Sequence, residues 1–377
     1  LARIIAERAG VCIAGVSPVL TADWGDLGIA LMEVYMHTWR RVDSPRLRCA
    51  GRPSLPAVKR VGNKKSWHLM TNDTNELKHM ERRKFLKNTA LTAGALAFLG
   101  KRSFAAMLAD PTYQFKPLRG NVGMFAEQGG TIAWMINKEG IVVVDAEFPD
   151  PATHLIAELK KKSDLPFEWL INTHHHGDHT SGNISFKGIV KNVAAHENSL
   201  ANQKAVAVKQ KTEEKQLYPD TTFTDKWKIK VGDERITAHY LGRGHTNGDA
   251  MIHFEHANVV HTGDLVFNRR YPFVDNSAGA SVKHWAVALE KAQKQFNKET
   301  LFVFGHAFDP QKVTGTMEDV KAMQNFMERL EDYVAGAIKA GKSKEEILKA
   351  TSIPGITDWQ GDGIQRGITA AYEELTT

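Results

Sequence analysis

Beyond residue 110 the apolar positions fall into short strand-like runs that alternate with longer stretches of helical spacing. Residues 121–125 and 131–137 flank Gln128-Gly129-Gly130, a turn signal between two runs, and predict a pair of strands. Residues 141–144 read Ile-Val-Val-Val with no polar alternation, the pattern of a strand covered on both faces. Residues 151–162 place Leu155, Ile156 and Leu159 on one helical face. A strand over 167–172 then runs straight into a histidine-rich segment. Further on, the pattern predicts a helix over 196–216 and strands at 222–231, 235–241, 251–255 and 259–261. A helix over 281–297, a last buried strand at 301–304, and helices over 316–340 and later segments complete the expectation. Strands alternating with helices predict a layered α/β domain, and about 270 residues fit one domain of this class.

Ahead of that domain the pattern changes. Met80 is followed by Glu-Arg-Arg-Lys-Phe-Leu-Lys, and residues 89–100 then form a short apolar run. Roughly 12 apolar residues are too few to span a bilayer core, which takes about 20. A basic segment, a short apolar segment and the small residues of Ser103-Phe104-Ala105 occur in the order of a secretory signal. Arg82 and Arg83 make it resemble the twin-arginine export signal of bacteria, with cleavage expected after Ala105. That resemblance implies a periplasmic or secreted mature protein with no membrane anchor. Residues 80–105 are therefore read as signal peptide and 106–377 as the catalytic domain with C-terminal helices. Residues 1–79 lack any clear period and are read as a non-native upstream extension or a disordered segment, with Met80 as the expected start.

Charge changes the picture once it is located. The formal net charge of +6 would suggest a nucleic acid or an anionic surface as partner. Residues 1–79 carry 12 Lys/Arg against 7 Asp/Glu, and residues 80–105 carry 6 against 1. The remaining 106–377 has a net charge of −4, which removes the main support for a nucleic-acid role. Both cysteines, Cys12 and Cys49, also precede Met80. Disulfides and thiolate ligands are thus excluded from the later part of the chain, which leaves histidine and carboxylate chemistry.

That chemistry is concentrated in Thr173-His174-His175-His176-Gly177-Asp178-His179, at the end of a predicted strand. Neutral imidazoles and a carboxylate are natural ligands for zinc and related divalent ions. Four donors within six residues can serve two ions. His245 follows in the glycine-rich turn Gly242-Arg243-Gly244, Asp264 in Thr262-Gly263-Asp264, and His306 in Phe304-Gly305-His306. Asp264 and His306 each follow a predicted strand, where α/β folds assemble their sites. His175, His196, His253, His256 and His261 are expected to have no catalytic role, the ring of His175 pointing away from its neighbours.

The ordered set of Asp145, the 174–179 cluster, His245, Asp264 and His306 resembles the metallo-β-lactamase-fold hydrolase superfamily over roughly residues 121–306. The resemblance implies a four-layer αβ/βα sandwich with two metal ions at one edge of the paired sheets. It implies that His174, His176 and His245 hold one ion, that Asp178, His179 and His306 hold the other, and that Asp264 bridges them. Asp145 would orient ligands without binding metal. Zinc is the expected metal, with iron and manganese as alternatives. A metal-bridging hydroxide would attack an ester, thioester, lactone or lactam carbonyl, with Asp178 orienting it and shuttling a proton. The carboxylate at Asp264 is similar to the glyoxalase II-like and lactonase branches, whereas antibiotic-hydrolysing members have a thiolate or no ligand there. A periplasmic β-lactamase is the first alternative, suited to export. An iron-dependent oxygenase or a non-catalytic metal-binding accessory protein of the same fold is the second. The partner is expected to be a small-molecule substrate, not nucleic acid. The loop after Asp264 offers Asn268, Arg269, Arg270, Tyr271 and Phe273 as substrate contacts, the arginines for an anionic group and the aromatics for an apolar wall.

The export reading predicts that the mature native protein begins at Ala106, which its intact mass would report. Recovery of a chain that still holds Cys12 would overturn it.

Overall fold

Four layers account for the alternation of buried residues along the strands. The computed structural model describes residues 112–377, which fall within one compact unit, Leu99–Thr377. The expected upstream segment at 1–79 and the signal at 80–105 lie outside the described residues.

The first sheet begins with β1 (Gln114–Arg119), β2 (Val122–Ala126), β3 (Ile132–Asn137) and β4 (Gly140–Val144), each antiparallel to the one before. Helix α1 (Pro149–Lys162) crosses over to β5 (Phe167–Ile171), which pairs parallel with β4. The short helical turn α2 (Gly177–Thr180) leads to β6 (Val190–His196). Helix α3 (Glu197–Gln210) leads on to β7 (Thr221–Phe223), and both strands continue the parallel half. The second sheet contains β8 (Lys226–Val231), β9 (Glu234–His239), β10 (Met251–Phe254) and β11 (Val259–His261). A short β12 (Phe267–Asn268) follows, then α4 (Val282–Gln295) and β13 (Leu301–Val303), which joins β11 in parallel. β14 (His306–Ala307) pairs with β12, and β15 (Thr314–Gly315) closes the second sheet. The chain ends in α5 (Met317–Lys339), α6 (Lys344–Ile347) and α7 (Ile364–Thr376).

Period-two alternation decides what each strand residue meets. In β4, Val142 and Val144 face the second sheet and pack with Ile236, Ala238 and Ile252. Their neighbours Ile141 and Val143 face outward onto Leu155, Ile156 and Leu159 of α1. On the far side, Met251, Val260 and Phe302 turn outward onto α4, α5 and α7, with Trp285 and Phe326 fully buried there. Helix, sheet, sheet and helix therefore stack in that order, the sandwich expected for this α/β chain. Among the described residues, no helix is long and apolar enough to cross a membrane.

The helix ends follow ordinary capping chemistry. Ser281 caps α4 by accepting from the His284 N–H, and Thr316 with Asp319 forms a capping box on α5. Two expectations need correction. The segment read as 222–231 is two strands in different sheets, because β7 completes the first sheet and β8 opens the second. The helix read to residue 216 stops at Gln210, where Lys211 takes a left-handed conformation with φ of 57°. β1 and β6 have no counterpart in the periodicity: β1 is a half-exposed edge strand with weak alternation, and β6 opens on Val-Lys-Asn.

Truncating Leu155 to alanine leaves a cavity between α1 and the first sheet. A loss of about 3 kcal/mol is expected in urea unfolding, against less than about 0.5 for exposed Lys160→Ala.

Candidate metal centre

The strand ends place the donors. β4 leads into Asp145, which is fully buried with φ of 65°, a left-handed conformation that aspartate tolerates better than bulkier residues. Its carboxylate accepts from the Thr173 backbone N–H at 2.8 Å, from the Thr173 hydroxyl at 2.7 Å, and contacts His179 Nδ1 at 2.8 Å. Two residues on, buried Glu147 accepts the backbone N–H groups of Glu127, Gln128 and Gly129. Burial raises its pKa, and those three bonds oppose the rise. Glu147 thereby ties the 127–130 turn to the site, where a Cβ on Gly130 would lie 2.0 Å from the His179 ring. Gly305 is constrained in the same way, since a Cβ there would lie 2.0 Å from Asp264 Oδ1.

The partners of the distal ring atoms assign each tautomer. A carboxylate or carbonyl oxygen only accepts, so the ring nitrogen facing it carries the proton. His179 donates from Nδ1 to Asp145, and His245 donates from Nδ1 to the Phe273 carbonyl at 2.7 Å. His176 donates from Nε2 to Asp275 Oδ2 at 2.8 Å. Thr173 spends its hydroxyl proton on Asp145, so it accepts from His174 Nδ1 at 3.0 Å. Four lone pairs therefore point inward: His174 Nε2, His176 Nδ1, His179 Nε2 and His245 Nε2.

These inward atoms crowd one another and the carboxylates. His176 Nδ1 lies 2.7 Å from His245 Nε2 and 3.1 Å from His174 Nε2. Asp264 Oδ2 stands 3.4 Å from His245 Nε2, 3.9 Å from His174 Nε2 and 3.5 Å from His306 Nε2. Asp264 Oδ1 is 3.0 Å from His179 Nε2, and neither of these buried atoms has a hydrogen-bond partner. His306 Nε2 meets Asp178 Oδ2 at 3.0 Å, and the Asp178 side chain is the most exposed of the donors at 33%. Lone pairs packed at these distances in a buried pocket repel unless cations sit among them. The residues fit divalent metal: one donor group is His174, His176, His245 and Asp264, and a second is Asp178, His179 and His306.

The field agrees with that donor state. Burial pushes His245 down to about 3, helped by the neighbouring His176, so its ring is neutral. Burial likewise holds His174 well below its ordinary value. Burial alone would raise the Asp178 carboxyl, but His179 and His306 reverse the shift and hold it ionised. His179 is the exception. Burial lowers it, yet Asp264, Asp178 and Asp145 together pull it far above the ordinary range. A cation held between His179 and Asp264 would take the place of that proton.

All seven sequence-predicted ligands are gathered into this one cluster, and Asp145 lies behind it against His179 and Thr173. The substrate candidates divide. Arg270 and Phe273 line a cleft of about 350 Å³ with Asp178, His245, Phe267 and His306. Asn268 is buried in β12 and donates to the Lys312 carbonyl. Arg269 pairs with Asp358 at 2.6 Å and Asp319 at 3.6 Å, while Tyr271 packs on Phe326. These three serve the loop's anchorage and do not line the cleft. A cavity of about 450 Å³ at the opposite end of β4, near Asn137 and His256, has no comparable donor set.

Two residues of the site carry no sequence signal. Asp275 holds His176 in its tautomer, and Trp285 supports the turn under His245 while donating to the Leu265 carbonyl. Neither has a motif around it; only the returning chain brings Asp275 to His176. His175 is buried with its Nε2 3.7 Å from Asp275, outside the two donor groups above. His261 bridges the Thr131 carbonyl and the Gly263 N–H. His196 caps α3 and stacks on Tyr240.

The chain is similar to known proteins over the region that holds these residues. A family model described as the metallo-beta-lactamase superfamily matches residues 127–306. The metallo-beta-lactamase IND-1 of Chryseobacterium indologenes is 26% identical over 203 residues, covering 53% of this chain and 80% of that protein. A metallo-beta-lactamase type 2 of Bacillus cereus is 27% identical over 169 residues, covering 45% of this chain and 63% of that protein. Among solved structures, a double mutant of the sec-alkyl sulfatase PisA1 superposes with a TM-score of 0.57 at 12% identity. It covers 70% of this chain and 50% of that one, a likeness of fold.

Asp145→Asn replaces two acceptor oxygens by one acceptor and one donor, so the Thr173 and His179 contacts cannot both persist. Metal affinity, measured by competition with a chromophoric chelator, is expected to fall about 10- to 100-fold. Unchanged affinity would contradict the proton assignments above.

Proposed function

We infer that this metallo-β-lactamase superfamily domain is a two-metal hydrolase of small carbonyl substrates: esters, thioesters, lactones or lactams. The observation that carries the reading is the inward convergence of four imidazole lone pairs on the Asp264 carboxylate, next to Asp178 and His306. His174, His176 and His245 would hold one ion and Asp178, His179 and His306 the other, with the Asp264 carboxylate shared between the two groups. Nitrogen and oxygen donors without sulfur suit zinc, manganese or iron, and the relatives' family supports zinc. When bound, such ions supply Lewis-acid polarisation of the carbonyl and acidify water toward neutral pKa.

The chain's own residues supply the rest. Asp178, ionised and reaching the cleft, orients the attacking water and takes its proton, then returns it to the leaving group. Arg270 pairs with an anionic group of the substrate, and Phe273 gives it an apolar wall. Asp275, Asp145 and the Phe273 carbonyl hold the ring nitrogens in their donor tautomers throughout.

The names of the similar proteins favour a lactam as one member of the substrate class. The carboxylate at Asp264, in a domain without cysteine, favours the ester and thioester members. The twin-arginine-type segment at 80–105 supports action in the periplasm or outside the cell.

Metal analysis of the purified full chain, run beside a panel of a lactam, a lactone, a thioester and a phosphodiester, tests the proposal. Two ions per chain and turnover of a carbonyl substrate are expected. One iron per chain with no hydrolysis would refute it. Asp178→Asn is expected to weaken the second ion and, at saturating metal, to lose about 10²- to 10⁴-fold in kcat; near-normal turnover with both ions bound would remove Asp178 from the mechanism.

A further inference from the structure

Phe273 is the wall that the metal cleft shares with a neighbouring cavity. The side chain is 39% exposed, where large apolar groups are more often covered, and it also lines a second cavity of about 400 Å³. That groove runs between the 273–276 loop and α7, with Val274, Leu348, Thr369 and Ala370 forming a mainly apolar lining. Arg366 lies 5.9 Å over the Phe273 ring and steadies the shared wall. The end away from Phe273 is polar: Glu373 accepts from Asn276 at 3.0 Å and from Lys344 at 3.0 Å.

The groove is also held in register with the metal centre. Gln360 exchanges backbone hydrogen bonds with Arg269 and Tyr271, Arg269 pairs with Asp358, and Glu374 binds the Ser281 hydroxyl and the Val282 N–H at the start of α4. The loop bearing Phe273 is thus fastened to the C-terminal segment on both of its sides. Those C-terminal residues lie beyond 306, past the matched family region.

We propose that this groove binds the unbranched apolar acyl chain of the substrate, whose carbonyl lies in the metal cleft. The inference rests on the hydrolase reading and narrows it to acyl substrates. An apolar chain is the occupant because most of the surface the lining offers is side-chain carbon, bounded by Arg366 beside Phe273 and by Glu373 with Asn276 at the far end. A rigid polycyclic substrate would have to bend around Phe273, whereas a flexible chain passes over it. Length matters for the same reason: each methylene gains by leaving water until the chain meets Glu373 and Asn276.

Calorimetry of the zinc-loaded full chain with a series of straight-chain carboxylates from acetate to decanoate tests this. The carboxylate stands in for the product's head group, and the measurement needs no turnover. Affinity is expected to rise about fourfold per methylene, the equivalent of about 0.8 kcal/mol, and then to stop rising. Thr369→Trp and Gln365→Trp fill or narrow the groove and are expected to flatten the series while zinc content stays as in the unaltered chain. A flat series in the unaltered chain, or an unchanged slope in both folded variants, overturns the proposal. Failure of the hydrolase reading is seen separately, as missing zinc or absent turnover across the substrate panel.

Discussion

Everything at the centre depends on which nitrogen of each imidazole keeps its proton. Four rings present lone pairs to one small volume because four outward partners can only accept or have already spent their proton. Asp145 controls two of them, His179 directly and His174 through the Thr173 hydroxyl. Without that wiring the rings could protonate inward and bond to the carboxylates, giving a satisfied polar cluster with no affinity for a cation. The sheets matter to function chiefly because they hold Asp145, Thr173 and the returning Phe273 carbonyl in fixed relation.

The scaffold accepts local cost for this. Asp145 and Glu147 both adopt left-handed backbone conformations, at φ of 65° and 47°, in a fully buried turn. Such conformations persist where surrounding bonds over-determine them, and here six hydrogen bonds to the two carboxylates do so. Gly130 and Gly305 serve the same end by letting backbone press against His179 and Asp264. A side chain at either would displace a donor.

The ligand cluster was legible in the sequence because four donors sit within six residues and the others follow strands closed by glycine or threonine. A layered α/β domain was legible because buried strands such as β4 carry unbroken β-branched runs between helical stretches, while the four-layer sandwich followed from the family resemblance. Asp275 was not legible, since nothing local marks an aspartate that meets His176 across 99 residues. The substrate loop was half legible. Its position after Asp264 predicted contact for all five candidates, but Arg269 and Tyr271 are claimed by the C-terminal segment, a tertiary fact that periodicity does not carry. The division of 222–231 between two sheets failed for a similar reason: Asp225 and Lys226 look like interior positions of one exposed strand, yet they mark the crossing from sheet to sheet.

The segment between α6 and α7 fixes the loop that carries Arg270 and Phe273, through Asp358 and Gln360. The paired donor groups around Asp264 carry the rest of the site. X-ray absorption spectroscopy of the zinc-loaded full chain tests this pairing most directly. Nitrogen and oxygen scatterers alone are expected, at about 2.0–2.2 Å, together with a metal–metal vector at about 3.5–4 Å. A single zinc environment with no metal–metal scattering, or any sulfur scatterer, would contradict it.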